Sequence, residues 1–192
     1  MLQELIVGTP VRSFLPSAYR IKFALEPWER AGVARLREQV FCQEQGIFTG
    51  SDRDEIDDAA IHIVALSYNA VMLDEIAGTV RIHEPEPGLW FGSRLAVDLR
   101  HRRAGLLGPA LIRLAVTTAS ARGAHTFLAH VQSANAPLFK KLHWKTLEEI
   151  TLHGRAHHLM EADLDHYRPW PHGDVGFMAT RETQLAGRVN AR

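Results

Sequence analysis

The residues best suited to chemistry lie in one stretch of the chain. Residues 90–97 read as a strand, residues 100–108 (Arg-His-Arg-Arg-Ala-Gly-Leu-Leu-Gly) as a basic turn, and the residues after them as a long amphipathic helix. A turn that runs into a helix N-terminus offers unpaired backbone N–H groups and the positive end of the helix dipole. Together these make an anion site suited to phosphate. Gly105 and Gly108 let the backbone come close to a ligand, because no Cβ stands in the way. Arg100, Arg102 and Arg103 add charge. The same strand, turn and helix also occur in folds that hold no ligand. The turn is not a Walker loop, since no Gly-Lys-Ser/Thr follows, and it is not a clean Gly-x-Gly-x-x-Gly fingerprint.

Other side chains could act on a bound group. Glu44 falls near the end of the first helix; as a base it needs a burial-raised pKa, and otherwise it is a solvated helix-end carboxylate. Asp52, Asp54, Glu55, Asp57 and Asp58 could gather a cationic amine, or could cap turns in a solvated loop. Arg81 stands inside an Ile/Val-rich strand, where an unpaired charge is rare. It therefore pairs with Asp57 or Glu44, or grips a substrate carboxylate. His83 and His130 lie at strand ends, as structural residues or as acid and base near neutral pH. His153, His157 and His158 bracket a turn without a carboxylate or cysteine at matching spacing, which favours cross-strand pairs over a zinc site. No metal is expected. Cys42, beside Phe41 on a predicted helix, reads as core and not as a nucleophile.

The elements that must position these groups follow from periodicity. Tyr19, Ile21, Phe23 and Leu25 alternate with Arg20, Lys22 and Ala24, a strand pattern. Pro27 suits a first helical turn, Val33, Leu36 and Val40 fall at helical spacing, and Gly46 is a stop. Strands are expected over residues 61–66 and 75–83, with a turn at Asn69 and a break at Pro85, Pro87 and Gly88. Leu107, Leu111, Leu114 and Ala115 form one face of the helix that Gly123 caps. A buried strand over 127–131, a short helix from Asn135 to Leu142 and a hairpin around Gly154 complete the order. Residues 1–18 read as an N-terminal arm, 19–166 as the domain and 167–192 as a C-terminal tail. The order β-α-β-β-β-α-β-α-β-β implies an α/β (α+β) fold with a mixed sheet and helices on it.

Bulk properties exclude several classes. The 192 residues are long enough for one real core. Lysine plus arginine equals aspartate plus glutamate at 22 each, so no global field draws the protein to nucleic acid or acidic lipid. One cysteine permits no internal disulfide and fits a reducing compartment. No apolar run is long enough to span a membrane, and no signal-peptide pattern opens the chain. The expectation is a cytoplasmic protein with a small-molecule partner, neither nucleic acid nor membrane, and compatible with a homodimer.

With these residues in this order, 19–163 resembles the GNAT superfamily of acyl-CoA-dependent N-acyltransferases. Arg94-Leu95-Ala96-Val97 with the basic turn looks like the family's acyl-CoA strand and pyrophosphate loop. Asn135 through Phe139-Lys140-Lys141-Leu142-His143-Trp144 looks like its Asn…Tyr-Glu-Lys-Leu-Gly-Phe segment. Val40 to Gly46, with Asp54, Asp57 and His62 beyond, and with Arg81 and Arg94, is similar to the branch that includes the autoinducer (acyl-homoserine lactone) synthases.

The resemblance implies a mostly antiparallel sheet whose two central parallel strands splay apart. It implies acetyl-CoA or another acyl-CoA in that notch, as co-substrate, and transfer by direct attack of a small-molecule amine in a ternary complex. Leu95, Ala96, Val97, Arg102, Arg103, Ala104, Gly105, Leu107, Gly108, Asn135 and Phe139 would then hold the cofactor. Asp54, Arg81, Arg94 and His130 would meet the acceptor, and Glu44, Asp57 and Arg81 would serve the chemistry, with Glu44, Asp54, Asp57 and Arg81 in one polar cluster. Two departures stand out. Leu107 occupies a key loop position, either shifting the loop or pointing into the core, with Gly108 one place late. Phe139 stands where the family's acid is a tyrosine, and His143 where it has a glycine. An autoinducer-synthase-like enzyme and a non-catalytic acyl-CoA-binding module are the alternatives.

Overall fold

The computed structural model describes Pro16 and residues 18–69 and 72–180. Most of the expected N-terminal arm and the end of the expected tail lie outside the described residues. Eight described strands form one sheet: β1 (Ala18–Phe23), β2 (Ile61–Asn69), β3 (Met72–Glu86), β4 (Leu89–Val97), β5 (Thr126–Gln132), β6 (Trp144–Leu152), β7 (Arg155–Ala162) and β8 (Phe177–Thr180). Their order across the sheet is β6-β7-β5-β4-β3-β2-β1-β8. Every pairing is antiparallel except that of β4 with β5. This is the mixed sheet and central parallel pair expected from the sequence.

Helices cover both faces. α1 (Pro27–Arg37) places Val33 against Val64, Leu66 and Ile76 on one face. α2 (Leu107–Ala121) lies on the other, where Leu111, Leu114 and Ala115 share the main core with Ile63, Ala65, Val80 and Ile82. The alternation of β2 between the two sets is the period-2 signature of a strand buried on both faces. α3 (Ala136–Lys141) follows β5 and leads into β6.

Four local outcomes differ from the sequence reading. The first helix does not run as a regular α-helix to Gly46; after Arg37 it widens into a π-helical stretch, Glu38–Glu44. The wider turn changes the angular phase of the residues beyond it, so Phe41 and Gln45 face the interior while Glu44 turns outward. Pro85 does not break β3. It sits at a register irregularity between His83 and Glu86, where a missing N–H is tolerated, and Pro87 and Gly88 form the hairpin turn to β4. The acidic loop contains a short 3₁₀ turn, Glu55–Asp58, capped by Asp54.

The fourth difference is the stretch read as a tail from residue 167. Tyr167 is buried, and Phe177–Thr180 is a strand paired with β1. Gly176 permits this: its φ is +67°, and a Cβ there would lie 1.9 Å from the Ile21 carbonyl oxygen. A four-residue strand carries too little alternation to read from sequence alone.

Candidate active site

β4 makes the site by ceasing to pair. Leu89, Trp90, Phe91 and Gly92 pair in parallel with Thr126, Phe127, Leu128 and Ala129, and there the ladder ends. Beyond Gly92 the facing edges of the two strands diverge. The cause is a bulge in β4. Arg81 pairs with Ser93 but Thr79 with Ala96, so Arg94 and Leu95 together oppose Val80. Arg94 is left-handed, with φ 54°. Such a conformation costs a non-glycine residue about 1–2 kcal/mol, and the contacts of its guanidinium offset that. Arg94 donates to the backbone carbonyl of Asp52 (3.0 Å) and to the Asp54 carboxylate (3.1 Å), forms an ion pair with the Asp52 carboxylate at 2.9 Å, and lies 4.6 Å from the centre of the Phe48 ring.

Arg94 belongs to a buried charge cluster on the α1 face. Arg37 bonds both Asp52 (2.8 Å) and Asp57 (3.0 Å to Oδ2). Arg81, 2% exposed, donates from Nε to the Ser93 hydroxyl (3.0 Å) and from its two Nη atoms to Asp54; it also pairs with Asp57 at 3.0 Å. Three arginines and three aspartates neutralise one another, which is what allows so many charges to leave water together. For Asp57, burial would raise the pKa. The Arg37 hydrogen bond, the Asp54 N–H and the charges of Arg37 and Arg81 outweigh it and hold the carboxyl well below the usual range. For Asp54 the Arg81 hydrogen bond dominates and also lowers it.

A cavity of about 560 Å³ occupies the splay. Asp54, Arg81, Ser93 and Arg94 reach it from the cluster, His83 and His130 from β3 and β5, and Leu95, Gln132, Asn135 and Phe139 from the strand ends and α3. His83, Phe91 and His130 form a row across three strands, with ring centres 6.1 and 5.9 Å apart. Burial, then the Arg81 charge, lowers the pKa of His83; burial, then His157, lowers that of His130. Both shifts favour the neutral imidazole, the form that can accept a proton, and Nδ1 of His83 is buried with no hydrogen-bond partner among the described residues.

The basic turn lies after β4. Asp98 ties it down by accepting from the Arg100 N–H (2.9 Å) and Nε (3.1 Å), and His101, buried, bonds Tyr19 at 3.0 Å. Arg102–Ala104 forms a 3₁₀ turn and Gly105 adopts φ 62°, after which α2 begins without a side-chain cap. The first amides of α2 have no intrahelical partner. Leu107 is 1% exposed, so it points into the core and leaves the loop backbone in place. Arg100 pairs with Glu75 and Asp98, and Arg102 with Glu44. Arg103 carries no ion pair among the described residues and is exposed.

Together these features set a basic turn and an uncapped helix N-terminus after an open strand edge, with a polar charge cluster and two imidazoles lining the cavity beside that edge. The sequence matches the acetyltransferase (GNAT) family over residues 20–144, more than half of the chain. The chain belongs to the GNAT acetyltransferase family. A search of curated proteins finds no match by sequence. Solved structures of the same fold include a putative N-acetyltransferase from Lactobacillus plantarum (21% identity, TM-score 0.66, covering 76% of this chain and 98% of that one). They also include TofI in a ternary complex with an inhibitor and MTA (16%, 0.60, 80% and 98%). A third is an aminoglycoside 6'-N-acetyltransferase complexed with coenzyme A (15%, 0.60, 75% and 96%). At these identities the likeness is one of fold.

Within this GNAT fold the expected site residues separate into groups. Asp54, Asp57, Arg81 and Arg94 come together. Glu44, expected with them, does not. It lies with Arg102 at 2.6 Å, because the π-helical widening turns it toward the basic turn. Asp57 is in the cluster but does not line the cavity. Ala96 packs against Leu36, Val40 and Phe41, and Val97 accepts from Arg102 Nε through its carbonyl. Phe139 is buried edge-to-face on Trp144. His157 bonds the Arg155 carbonyl, His158 faces Glu149 across β6 and β7, and His153 sits on Phe48. No group of three histidine, cysteine or acidic side chains is set to hold a metal among the described residues. Sequence reasoning did not single out Arg37, although a signal existed: it falls at core-facing helical spacing beside Val33, Leu36 and Val40.

Proposed function

We propose that the protein is an acyl-CoA-dependent N-acyltransferase acting on the amine of a small molecule by direct attack. The observation that carries this reading is the end of β4–β5 pairing at Gly92 beside a cavity, with β4 leading through the basic turn into an uncapped helix N-terminus. The pyrophosphate of CoA sits on backbone N–H groups between Arg103 and Gly108. The pantetheine arm takes the place of the missing strand along Leu95–Val97, and a β4 amide aims at the thioester oxygen. One such donor is worth about 3–4 kcal/mol toward the tetrahedral intermediate.

The amine nitrogen bonds to the acyl carbon, the carbon–sulfur bond breaks, and the thiolate takes a proton from water, since Phe139 has none to give. The ammonium proton must go to a base that the cavity exposes. His83 and His130 meet that need; Asp57, locked between Arg37 and Arg81, does not. Arg81 and Asp57 then act by fixing Asp54 and Arg94 at the acceptor side.

A second reading is favoured by Asp54 and Arg94 facing the same cavity. They suit an acceptor bearing both an amine and a carboxyl group, as an S-adenosylmethionine-type acceptor of an autoinducer-synthase-like enzyme would. The test is thiol release from acyl-CoA against a panel of amines that includes amino-acid-type acceptors. Amine-dependent turnover is expected. CoA binding with no turnover on any amine points instead to a binding module.

A further inference from the structure

The cavity wall changes character within one pleat of the sheet. Arg81 pairs with Ser93 and His83 with Phe91, so two residues along both strands, about 7 Å, a buried guanidinium gives way to rings. His130 carries the row onto β5, and all three rings line the cavity. Phe91, at the centre of the row, is only partly buried. Proton transfer needs one imidazole and leaves Phe91 nothing to do. Resting on the acyl-CoA reading, we propose that the acceptor is an arylalkylamine, with a planar aromatic ring set against Phe91 and its two imidazole neighbours and an amine joined to that ring by a short alkyl link.

The chemistry of the row selects the occupant. A ring placed against it meets Phe91 offset-stacked or edge-to-face, the two arrangements that aromatic pairs favour. A saturated chain gains apolar contact there but not the ring–ring attraction. A hydroxyl or a charge laid on Phe91 loses its water without gaining a partner. The position of the row sets the length of the link. Acyl transfer belongs where β4 stops pairing with β5, at Gly92, and Phe91 is the residue before it. Phe91 and Ser93 share a face of the strand about 7 Å apart, which suits about two or three carbons between ring and amine. His83 and His130 flank Phe91 on the neighbouring strands, so an amine held beside the row has a base at hand. Its nitrogen bonds to the acyl carbon, the carbon–sulfur bond breaks, one proton leaves the nitrogen through an imidazole and the thiolate takes one from water. The products are an N-acyl arylalkylamine and free CoA.

The test is kcat/KM of the full chain with acetyl-CoA for phenethylamine and for cyclohexylethylamine, in the wild type and in Phe91→Leu. Leucine keeps apolar bulk and removes the aromatic surface, and the ratio of the two ratios cancels the amines' own differences in basicity and size. The preference for phenethylamine is expected to fall by about two- to twelvefold in the variant. If Phe91→Leu does not fold, inhibition of the wild type by the two parent alcohols decides: phenethyl alcohol should inhibit at least about twofold more strongly than cyclohexylethanol, against the order of their hydrophobicity. A preference unchanged within about 1.5-fold in the folded variant, or equal inhibition by the alcohols, overturns the aromatic acceptor and leaves the acyl-CoA reading intact. Turnover of S-adenosylmethionine or of an aminoglycoside with none of either ring-bearing amine does the same. Absence of turnover with every amine overturns the transferase reading and the arylalkylamine with it.

Discussion

Asp57 offers the sharpest test of how the site is held. Its side chain is 7% exposed and lies between two guanidiniums: Arg37 takes both oxygens, and Arg81 approaches Oδ2 at 3.0 Å. It also accepts the Asp54 backbone N–H at 3.0 Å. Asp57→Asn keeps the volume and removes one charge from a cluster that is neutral. Arg37 and Arg81 are then buried with Asp52 and Asp54 as their only anions in it. Breaking a buried pair from one side costs about 3–5 kcal/mol. For a chain of this size each kcal/mol moves Tm by about 2–4 °C, so Asp57→Asn should melt about 6–20 °C lower.

The pH dependence has a definite sign. The folded pKa of Asp57 is depressed, so its contribution is complete above the unfolded value near ~4 and is lost as pH falls through the folded value. The gap between wild type and variant should therefore be widest near neutrality and close on acidification below about pH 4. Urea titrations at several pH values, with circular dichroism as the readout, measure both effects. A loss under about 1 kcal/mol at pH 7, or a gap that widens in acid, would refute the assignment of Asp57 as a keystone between Arg37 and Arg81.

Three further outcomes are expected. Gly105→Val should weaken CoA binding by tenfold or more by calorimetry while the fold survives. Among the described residues, none beyond its chain neighbours comes within 4 Å of a Cβ at that position, and the left-handed backbone there strains any side chain by about 1–2 kcal/mol; unchanged CoA affinity in the folded variant would remove the loop from the donor site. Glu44→Gln should tighten CoA binding a few-fold and leave the acyl-transfer rate within about threefold, because it frees Arg102 and removes no base; a hundredfold drop in rate would return Glu44 to the chemistry. If His83 or His130 is the base, the pH–rate profile should fall on the acid side with a limb below the ordinary histidine value of about 6.5, and alanine at the responsible position should abolish that limb. Both single alanine variants retaining the limb would exclude the pair.

Residue order by itself determined the frame. The alternations at Tyr19–Phe23 and in β2, β3 and β5, the apolar stripe of α2 and the glycines around the basic turn each answer to a local period or a local dihedral. Neighbours a few residues apart are enough to set them. The same holds for the isolated charge of Arg81, whose burial required a partner before any partner was known. Tertiary structure decided what depends on distance. Arg37, Asp52–Asp57, Arg81 and Arg94 come from four separate segments, and only packing chooses which carboxylate each arginine meets. The phase change at Glu38–Glu44 moved Glu44 from the expected cluster to Arg102, because one widened turn rotates every later side chain. β8 exists because Gly176 lets the chain pass against Ile21, a contact made across the whole sequence. The cavity at the splay is a volume left between side chains of β3, β4, β5 and α3, and an empty volume has no residue pattern of its own.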